Sequence, residues 1–144
     1  MRLEQTFSIR RPPEIVFDYL TNPSNLAEWQ TSKTSVEQLT DGPPQLGTRV
    51  RERTRGPGGK EFEQVVEFTE FDRPRHVHVH IVEGPYAVDG SWWFEPDGES
   101  TRVRFVAEGE LAGAMRLLQP LLKRFLARRM AGYHRNLARR VGAA

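Results

Sequence analysis

The 144-residue sequence contains no cysteine. Disulfide bonds, thiolate metal ligands and cysteine nucleophiles are therefore excluded. No uninterrupted apolar stretch approaches the roughly 20 residues of a membrane-spanning helix, and residues 1–13 lack the apolar run of a signal peptide. These absences, together with the modest length, predict one soluble, cytoplasmic domain over residues 1–144 with no stable membrane insertion.

Acidic residues are missing from the last part of the chain. Residues 113–144 contain eight lysines and arginines and no acid, which gives this segment a net charge of +8. Because the whole chain has a net charge of +2, residues 1–112 carry −6. A basic segment of this kind can meet phosphates or anionic lipid. Nucleic-acid-binding proteins usually show recognition features beyond charge. A solvated helix face is therefore the favoured interpretation, and no nucleic-acid partner is expected.

Hydrophobic periodicity predicts strands through most of the chain. Alternation over Leu3–Ile9 indicates a first strand. Pro12 and Pro13 predict the start of a short helix, and a second short helix follows from Pro23 to about Trp29. Further strands, joined by turns rich in glycine and proline, are predicted over 35–39, 48–55, 61–71, 76–82, 87–95 and 101–111.

The C-terminal part of the chain has helical periodicity. Its apolar stripe comprises Met115, Leu118, Leu122, Phe125, Leu126 and Tyr133. Pro120 should either kink this helix or mark the start of its main part. A single long helix must bury its stripe against one face of the sheet, so the sheet has to curl around it. Space left between the two becomes an apolar cavity, and the fold class is α+β.

The third and fourth predicted strands define a register. Arginines occupy positions 49, 51, 53 and 55, whereas glutamates occupy 61, 63 and 67. Pairing across the turn at 56–59 places these opposite charges on the outer face, with Glu52 beside Gln64 inside. A shift by one residue would bury four arginines, so this register is strongly favoured.

Three histidines, His76, His78 and His80, alternate in one strand and could suggest a metal site. The residues between them, Val77 and Val79, are apolar, which predicts that the histidines lie on the outer face. Three side chains in a row on one strand do not easily close around one tetrahedral ion. No metal site and no cofactor are therefore predicted.

Four stretches of the chain resemble the START/SRPBCC superfamily, in its polyketide cyclase/dehydrase-like branch. They are RRPPEIVFDYLTNPSNLAEW (10–29), EFTEFDRPRHV (67–77), GSWWFEPDGESTRVRF (90–105) and LLQPLLKRFLARRM (117–130). The resemblance implies a helix-grip fold, in which a seven-stranded antiparallel sheet wraps around a C-terminal helix and leaves a deep ligand pocket. The superfamily includes aromatic polyketide cyclases, lipid and quinone carriers, hormone receptors and stress-response regulators, so fold alone does not choose a function.

Strand parity and the helical stripe predict which residues bind a ligand in this pocket. Arg129 or Gln64 would orient a polar group, while Glu52 or Tyr133 would handle a proton. The structural alternative is an internal Arg129–Glu52 ion pair, or an Arg129 that extends to the pocket rim. The candidates are Trp29, Glu52, Phe62, Gln64, Val79, Ile81, Trp92, Phe94, Phe105, Leu122, Phe125, Arg129 and Tyr133.

Three functions from different classes fit these predictions. The first is a protein that encloses a small hydrophobic or aromatic molecule, and the second is an aromatic polyketide cyclase or dehydratase that uses the same cavity. The third is an interaction module that uses the basic C-terminal helix. No Ser-His-Asp set or phosphate loop is apparent, so no catalytic residue is assigned and the question of enzymatic activity stays open. A homodimer is compatible with the sequence.

Overall fold

The computed structural model describes residues 1–142, so the last two positions of the predicted domain, 143 and 144, lie outside the described residues. The described chain contains a seven-stranded sheet and three α-helices. In chain order these are β1 (Arg2–Ile9), α1 (Pro13–Thr21), α2 (Leu26–Trp29), β2 (Lys33–Gln38), β3 (Arg49–Arg55), β4 (Glu61–Asp72), β5 (His76–Glu83), β6 (Val88–Asp97), β7 (Ser100–Gly109) and α3 (Gln119–Gly142).

The strands form one antiparallel sheet in the order β1-β7-β6-β5-β4-β3-β2. The chain therefore runs as a meander from β2 to β7, and β1 is added beside the last strand. Helix α3 packs against β1 and against both short helices. A curled seven-stranded sheet around a long C-terminal helix, with short helices after the first strand, is the helix-grip fold, and the predicted α+β architecture is confirmed.

The predicted register of β3 and β4 is confirmed residue by residue. Glu52 pairs with Gln64 on the inner face, and Arg49 faces Glu67 on the outer face with 2.7 Å between Nε and Oε1. Arg51 bridges two outer glutamates, Glu37 at 3.0 Å and Glu63 at 3.4 Å. Burial alternates strictly along β3, as expected when one face of a strand is solvated and the other covers a core.

The histidine strand also has the predicted orientation. Val77 is fully buried, whereas His80 is exposed on the outer face. His76 stacks on Trp93 of the neighbouring strand, with ring centroids 4.4 Å apart, and His80 Nδ1 lies 2.9 Å from Asp89. These outer polar groups are paired with neighbours on the sheet. Within residues 1–142, no group of three histidine, aspartate or glutamate side chains is placed to hold a metal ion.

The start of α3 differs from the predicted stripe. Pro120 lies in the first turn of α3, where its missing N–H leaves no hydrogen bond unmade, and it does not kink the helix. The preceding residues, Gly113–Leu118, form a 3₁₀ segment. Because a 3₁₀ turn takes three residues rather than 3.6, the apolar stripe does not continue in phase, and Leu118 is half exposed.

Packing is uneven along the inside of the sheet. At one end, α1 and the last turns of α3 close a solid core that includes Phe17, Phe94, Val103 and Leu137. At the other end, the first half of α3 stands away from the sheet and leaves a cavity. The neighbouring inward positions on the same elements, such as Trp92 on β6 and Phe105 on β7, line that cavity. None of the helices formed by residues 1–142 is long and apolar enough to cross a membrane.

Candidate ligand-binding cavity

The cavity lies between the inner face of the sheet, α2 and the first half of α3, and its volume is about 220 Å³. Most of its wall is aliphatic or aromatic. The sheet contributes side chains from β2 to β7, and the apolar side chains from α3 include Leu122, Phe125, Leu126 and Met130. A cavity with apolar walls favours a largely apolar occupant, because burying apolar surface is the main source of affinity in such sites.

Most of the residues predicted from the sequence are brought together here. Twelve of the thirteen line the cavity: Trp29, Glu52, Phe62, Gln64, Val79, Ile81, Trp92, Phe105, Leu122, Phe125, Arg129 and Tyr133. Whether they bind a ligand stays a prediction.

Phe94 is the exception, since it does not lie on the cavity wall. It is buried in the solid core, where its ring meets Phe17 of α1 edge-on at a centroid distance of 5.3 Å. Its inward parity was predicted correctly, but parity gives only the face of a strand. It does not tell which end of that face is covered by packed side chains and which end borders a cavity.

One wall of the cavity carries a buried polar cluster formed by Lys33, Glu52, Thr54 and Gln64. Lys33 Nζ lies 2.9 Å from Glu52 Oε1, and both side chains are only 7% exposed. Lys33 also donates to Thr54 Oγ1 at 3.0 Å, and Gln64 Nε2 donates to Glu52 Oε1 at 2.8 Å. Glu52 Oε2 forms no hydrogen bond within residues 1–142, so this carboxylate can still accept one from a ligand.

Lys33 was missed because a β-bulge changes its orientation. Simple alternation along β2 would place Lys33 on the same face as Ser35 and Glu37. The register shifts between Lys33 and Ser35, so that Lys33 pairs with Thr54 and joins the inner face. A bulge inserts an extra residue into a strand, so the residues before the bulge face the opposite side from the one that simple alternation predicts. The sequence around Lys33 contains no local signal that predicts this bulge.

Arg129 lies at the edge of the cavity rather than beside Glu52. It donates a hydrogen bond to the main-chain carbonyl of Arg55, and its guanidinium stacks 4.4 Å from the centroid of the Phe125 ring. Arg129 and Phe125 also line a shallow depression on the outer surface of α3. The predicted alternative of an Arg129–Glu52 ion pair is therefore wrong, because Lys33 occupies that position.

Two buried donors in residues lining the cavity have no partner. Neither Trp29 Nε1 nor the Tyr133 hydroxyl forms a hydrogen bond within residues 1–142. The two rings meet edge-on, 6.4 Å apart. An unpaired buried donor costs on the order of 1–3 kcal/mol, which an acceptor on a bound molecule or water would recover.

Behind the cavity wall, His134 of α3 is held in a fully paired network. Gln5 Nε2 donates to the carbonyl of Ala127, so Gln5 Oε1 accepts from His134 Nδ1 at 2.9 Å. His134 Nε2 then accepts from Trp92 Nε1 at 3.2 Å. Burial lowers the pKa of His134 from 6.5 to about 3, so the ring is neutral at pH 7. This histidine fixes the orientation of Trp92, which lines the cavity.

His134 was not predicted as part of this arrangement. From the sequence it stood near the end of the last helix, among basic residues and adjacent to Tyr133. Only the packing of β1 against α3 brings Gln5 to its ring, across a separation of 129 residues.

Fold and cavity together define a class: a START-like helix-grip protein with an apolar internal cavity. The family model described as polyketide cyclase/dehydrase and lipid transport matches residues 1–142. The chain belongs to this family. A search of curated proteins finds no match.

Solved structures with the same fold come from several bacteria. A protein from Thermus thermophilus shares 24% identity, with a TM-score of 0.85 over 99% of this chain and 98% of that one. A conserved protein from Geobacillus kaustophilus shares 14% identity, with a TM-score of 0.81 over 98% and 95%. A START superfamily protein from Mycobacterium smegmatis shares 13% identity, with a TM-score of 0.78 over 97% and 96%. At these identities the likeness shows the fold alone.

Proposed function

We propose that the protein binds a compact, largely apolar or aromatic molecule that carries one polar group, in the cavity between the sheet and α3. The observation that carries this proposal is the Lys33–Glu52–Gln64 cluster on an otherwise apolar wall. Apolar area supplies affinity at roughly 25 cal/mol per Å² buried. The polar cluster then favours ligands that can hydrogen-bond to it.

The geometry supports a small ligand with a neutral polar group deep in the cavity. A volume of about 220 Å³ is below the roughly 300–1,000 Å³ usual for sites that hold drug-sized ligands, which favours one or two rings over a long acyl chain. The Lys33–Glu52 pair is internally neutralised, so a hydroxyl or carbonyl suits it better than a second charge. An anionic group would instead find Arg129 at the edge.

The cavity itself is tested with the neutral probe N-phenyl-1-naphthylamine, whose fluorescence rises in apolar surroundings. Saturable one-to-one binding is expected. Val79→Phe places a ring at a wall position and should weaken binding about tenfold or more. Val82→Phe makes the same change on the same strand at a residue that does not line the cavity, and should bind like the wild type. Equal binding by both variants would place the probe elsewhere and contradict the proposal.

The role of the polar cluster is tested by displacing this probe with 2-naphthol and with naphthalene, which differ by one hydroxyl. The hydroxyl should strengthen displacement by the wild type about fivefold to tenfold. The advantage should disappear in the double variant Lys33→Met/Glu52→Gln, which removes both charges together and so leaves neither buried and unpaired. A hydroxyl advantage that survives in the double variant would show that the cluster is structural.

Catalysis of polyketide cyclisation or dehydration is a second candidate, and the buried Glu52 carboxylate favours it. A carboxylate on an apolar wall with one free oxygen can take a proton from the carbon between two ketone groups, after which that carbon attacks the carbonyl five carbons further along the same chain. The carboxyl returns the proton to the alkoxide that forms, and loss of this hydroxyl as water leads to the aromatic ring. Incubation with a soluble 2,4,6,8-tetraketone, whose carbon 3 can close a six-membered ring on the carbonyl at carbon 8, followed by ultraviolet absorbance for an aromatic product, tests this activity. Product formation that is no faster than in buffer, or that is unchanged in Glu52→Gln, would reject it.

A further inference from the structure

The first turns of α3 and the 3₁₀ segment before them expose large apolar side chains. Leu117 is 85% exposed and Leu121 is 64% exposed. Leu121, Arg124 and Arg128 follow the spacing i, i+3 and i+7, which places them along one side of α3. Leu117 precedes them in the 3₁₀ segment. We refer to Leu117, Leu121, Arg124 and Arg128 as the leucine–arginine stripe.

The stripe adjoins the cavity. Leu121, Arg124 and Arg128 line a shallow surface depression together with Phe125 and Arg129. Phe125 and Arg129 also line the internal cavity. A molecule bound on the stripe would therefore lie directly against residues that form the cavity wall.

We propose that the leucine–arginine stripe is a docking surface for an anionic lipid bilayer. A second copy of the chain is disfavoured as the occupant, since a symmetric contact would bring two strongly cationic helices together: residues 113–144 contain eight cations and no acid. Nucleic acid matches the charge but offers no apolar surface for two exposed leucines. An anionic bilayer surface complements both parts of the stripe, since its headgroups can contact the arginines and its acyl boundary can contact the leucines.

The docking would be peripheral, with the helix lying in the interface. Among residues 1–142, no helix is able to span a bilayer. An interfacial helix binds through partial burial of its apolar side chains together with attraction between cations and anionic lipid. The proposal does not depend on ligand binding, because vesicle association and probe binding are measured separately.

The test is co-sedimentation with vesicles of phosphatidylcholine alone or with 30 mol% phosphatidylglycerol. Binding is expected only with the anionic lipid and should fall about tenfold or more when salt is raised from 50 to 500 mM. Leu117→Ser/Leu121→Ser should lower the partition coefficient about tenfold or more. Leu46→Ser is the matched control, since Leu46 is also 64% exposed but precedes β3, at the strand end remote from Arg55 and Arg129. It should leave partitioning unchanged.

Charge is tested with two matched pairs of arginines, each spaced four residues apart on exposed positions of α3. Arg124→Gln/Arg128→Gln should weaken partitioning about tenfold or more, because each cation near an anionic surface contributes substantially. Arg135→Gln/Arg139→Gln removes the same net charge from the other half of the helix and should have a clearly smaller effect. Equal losses from the two pairs would indicate attraction by net charge alone and would overturn the proposal.

A site-specific readout is available because the chain has no cysteine. Leu121→Cys and Leu46→Cys can each be labelled with the environment-sensitive nitrobenzoxadiazole fluorophore. Anionic vesicles should shift the emission of the Leu121→Cys conjugate to the blue and leave the Leu46→Cys conjugate unchanged. No binding to anionic vesicles, equal shifts at both sites, or dissociation of a dimer by Leu117→Ser/Leu121→Ser would each overturn the proposal.

Discussion

The two halves of α3 belong to one continuous helix but have opposite surroundings. In residues 119–129 no side chain is fully buried, and several border the cavity or the solvent. In residues 130–142, Met130, Tyr133, His134, Leu137 and Val141 are all buried. The second half is fixed by core packing, whereas the side chains of the first half border the cavity or the solvent.

This difference shows how one helix can combine stability with an open site. The buried half secures the helix against β1, α1 and α2. The exposed half then need not contribute much packing energy, and its side chains are available for a ligand or a surface. Four predictions test this division, in order of decreasing expected effect.

Leu137→Ala should destabilise the protein by about 2–5 kcal/mol, because it removes a fully buried side chain from the solid core and leaves a cavity. The same change in the first half, Leu121→Ala, should alter the free energy of unfolding by less than about 0.5 kcal/mol, since Leu121 is exposed. Urea denaturation measures both. Similar values for the two variants would remove the distinction between the halves.

Acidification should weaken the buried half through His134. Its pKa is lowered to about 3 in the folded protein from an ordinary value of 6.5, so between these values the unfolded chain binds more protons. This contribution to stability is complete above pH 6.5 and declines as the pH falls; between pH 7 and 4.5 the loss is about 2–3 kcal/mol. Urea titrations of the wild type and of His134→Gln at both pH values measure it. If the variant, which cannot titrate here, loses as much stability as the wild type, His134 is not the source.

Arg129→Met should weaken binding of the anionic probe 1-anilinonaphthalene-8-sulfonate about tenfold and leave N-phenyl-1-naphthylamine nearly unchanged. Methionine keeps much of the apolar stem but removes the charge at the cavity edge. Fluorescence titration provides both affinities. If both probes lose affinity equally, or neither does, Arg129 holds the end of β3 through the Arg55 carbonyl and does not orient ligands.

Tyr133→Phe, at the junction between the halves, should have the smallest effect on folding. The buried hydroxyl has no hydrogen-bond partner within residues 1–142, so its removal should leave stability unchanged or raise it by up to about 1 kcal/mol. A thermal melt followed by circular dichroism measures the change. A destabilisation above about 1 kcal/mol would mean that the hydroxyl is paired in solution, for example through an ordered water.

Much of the fold and of the cavity wall was predictable from the sequence because both depend on alternation. Four arginines facing three glutamates allow only one register of β3 and β4, and the valines between His76, His78 and His80 direct those histidines outward. For Pro120 the sequence left two possibilities, a kink or the start of the main helix, and the structure has the second, with Pro120 in the first turn of α3. In each case the feature depends on interactions within one element or between neighbouring strands.

Longer-range packing decided the rest. Alternation could not distinguish Trp92, which lines the cavity, from Phe94, which lies in the solid core, because only the position of α1 separates them. The sequence by itself determined which face of each strand is apolar, since the side-chain period of a strand is fixed by its backbone. Tertiary structure alone decided that a bulge turns Lys33 toward Glu52 and that Gln5 meets His134, because these contacts depend on how distant segments fit together in space.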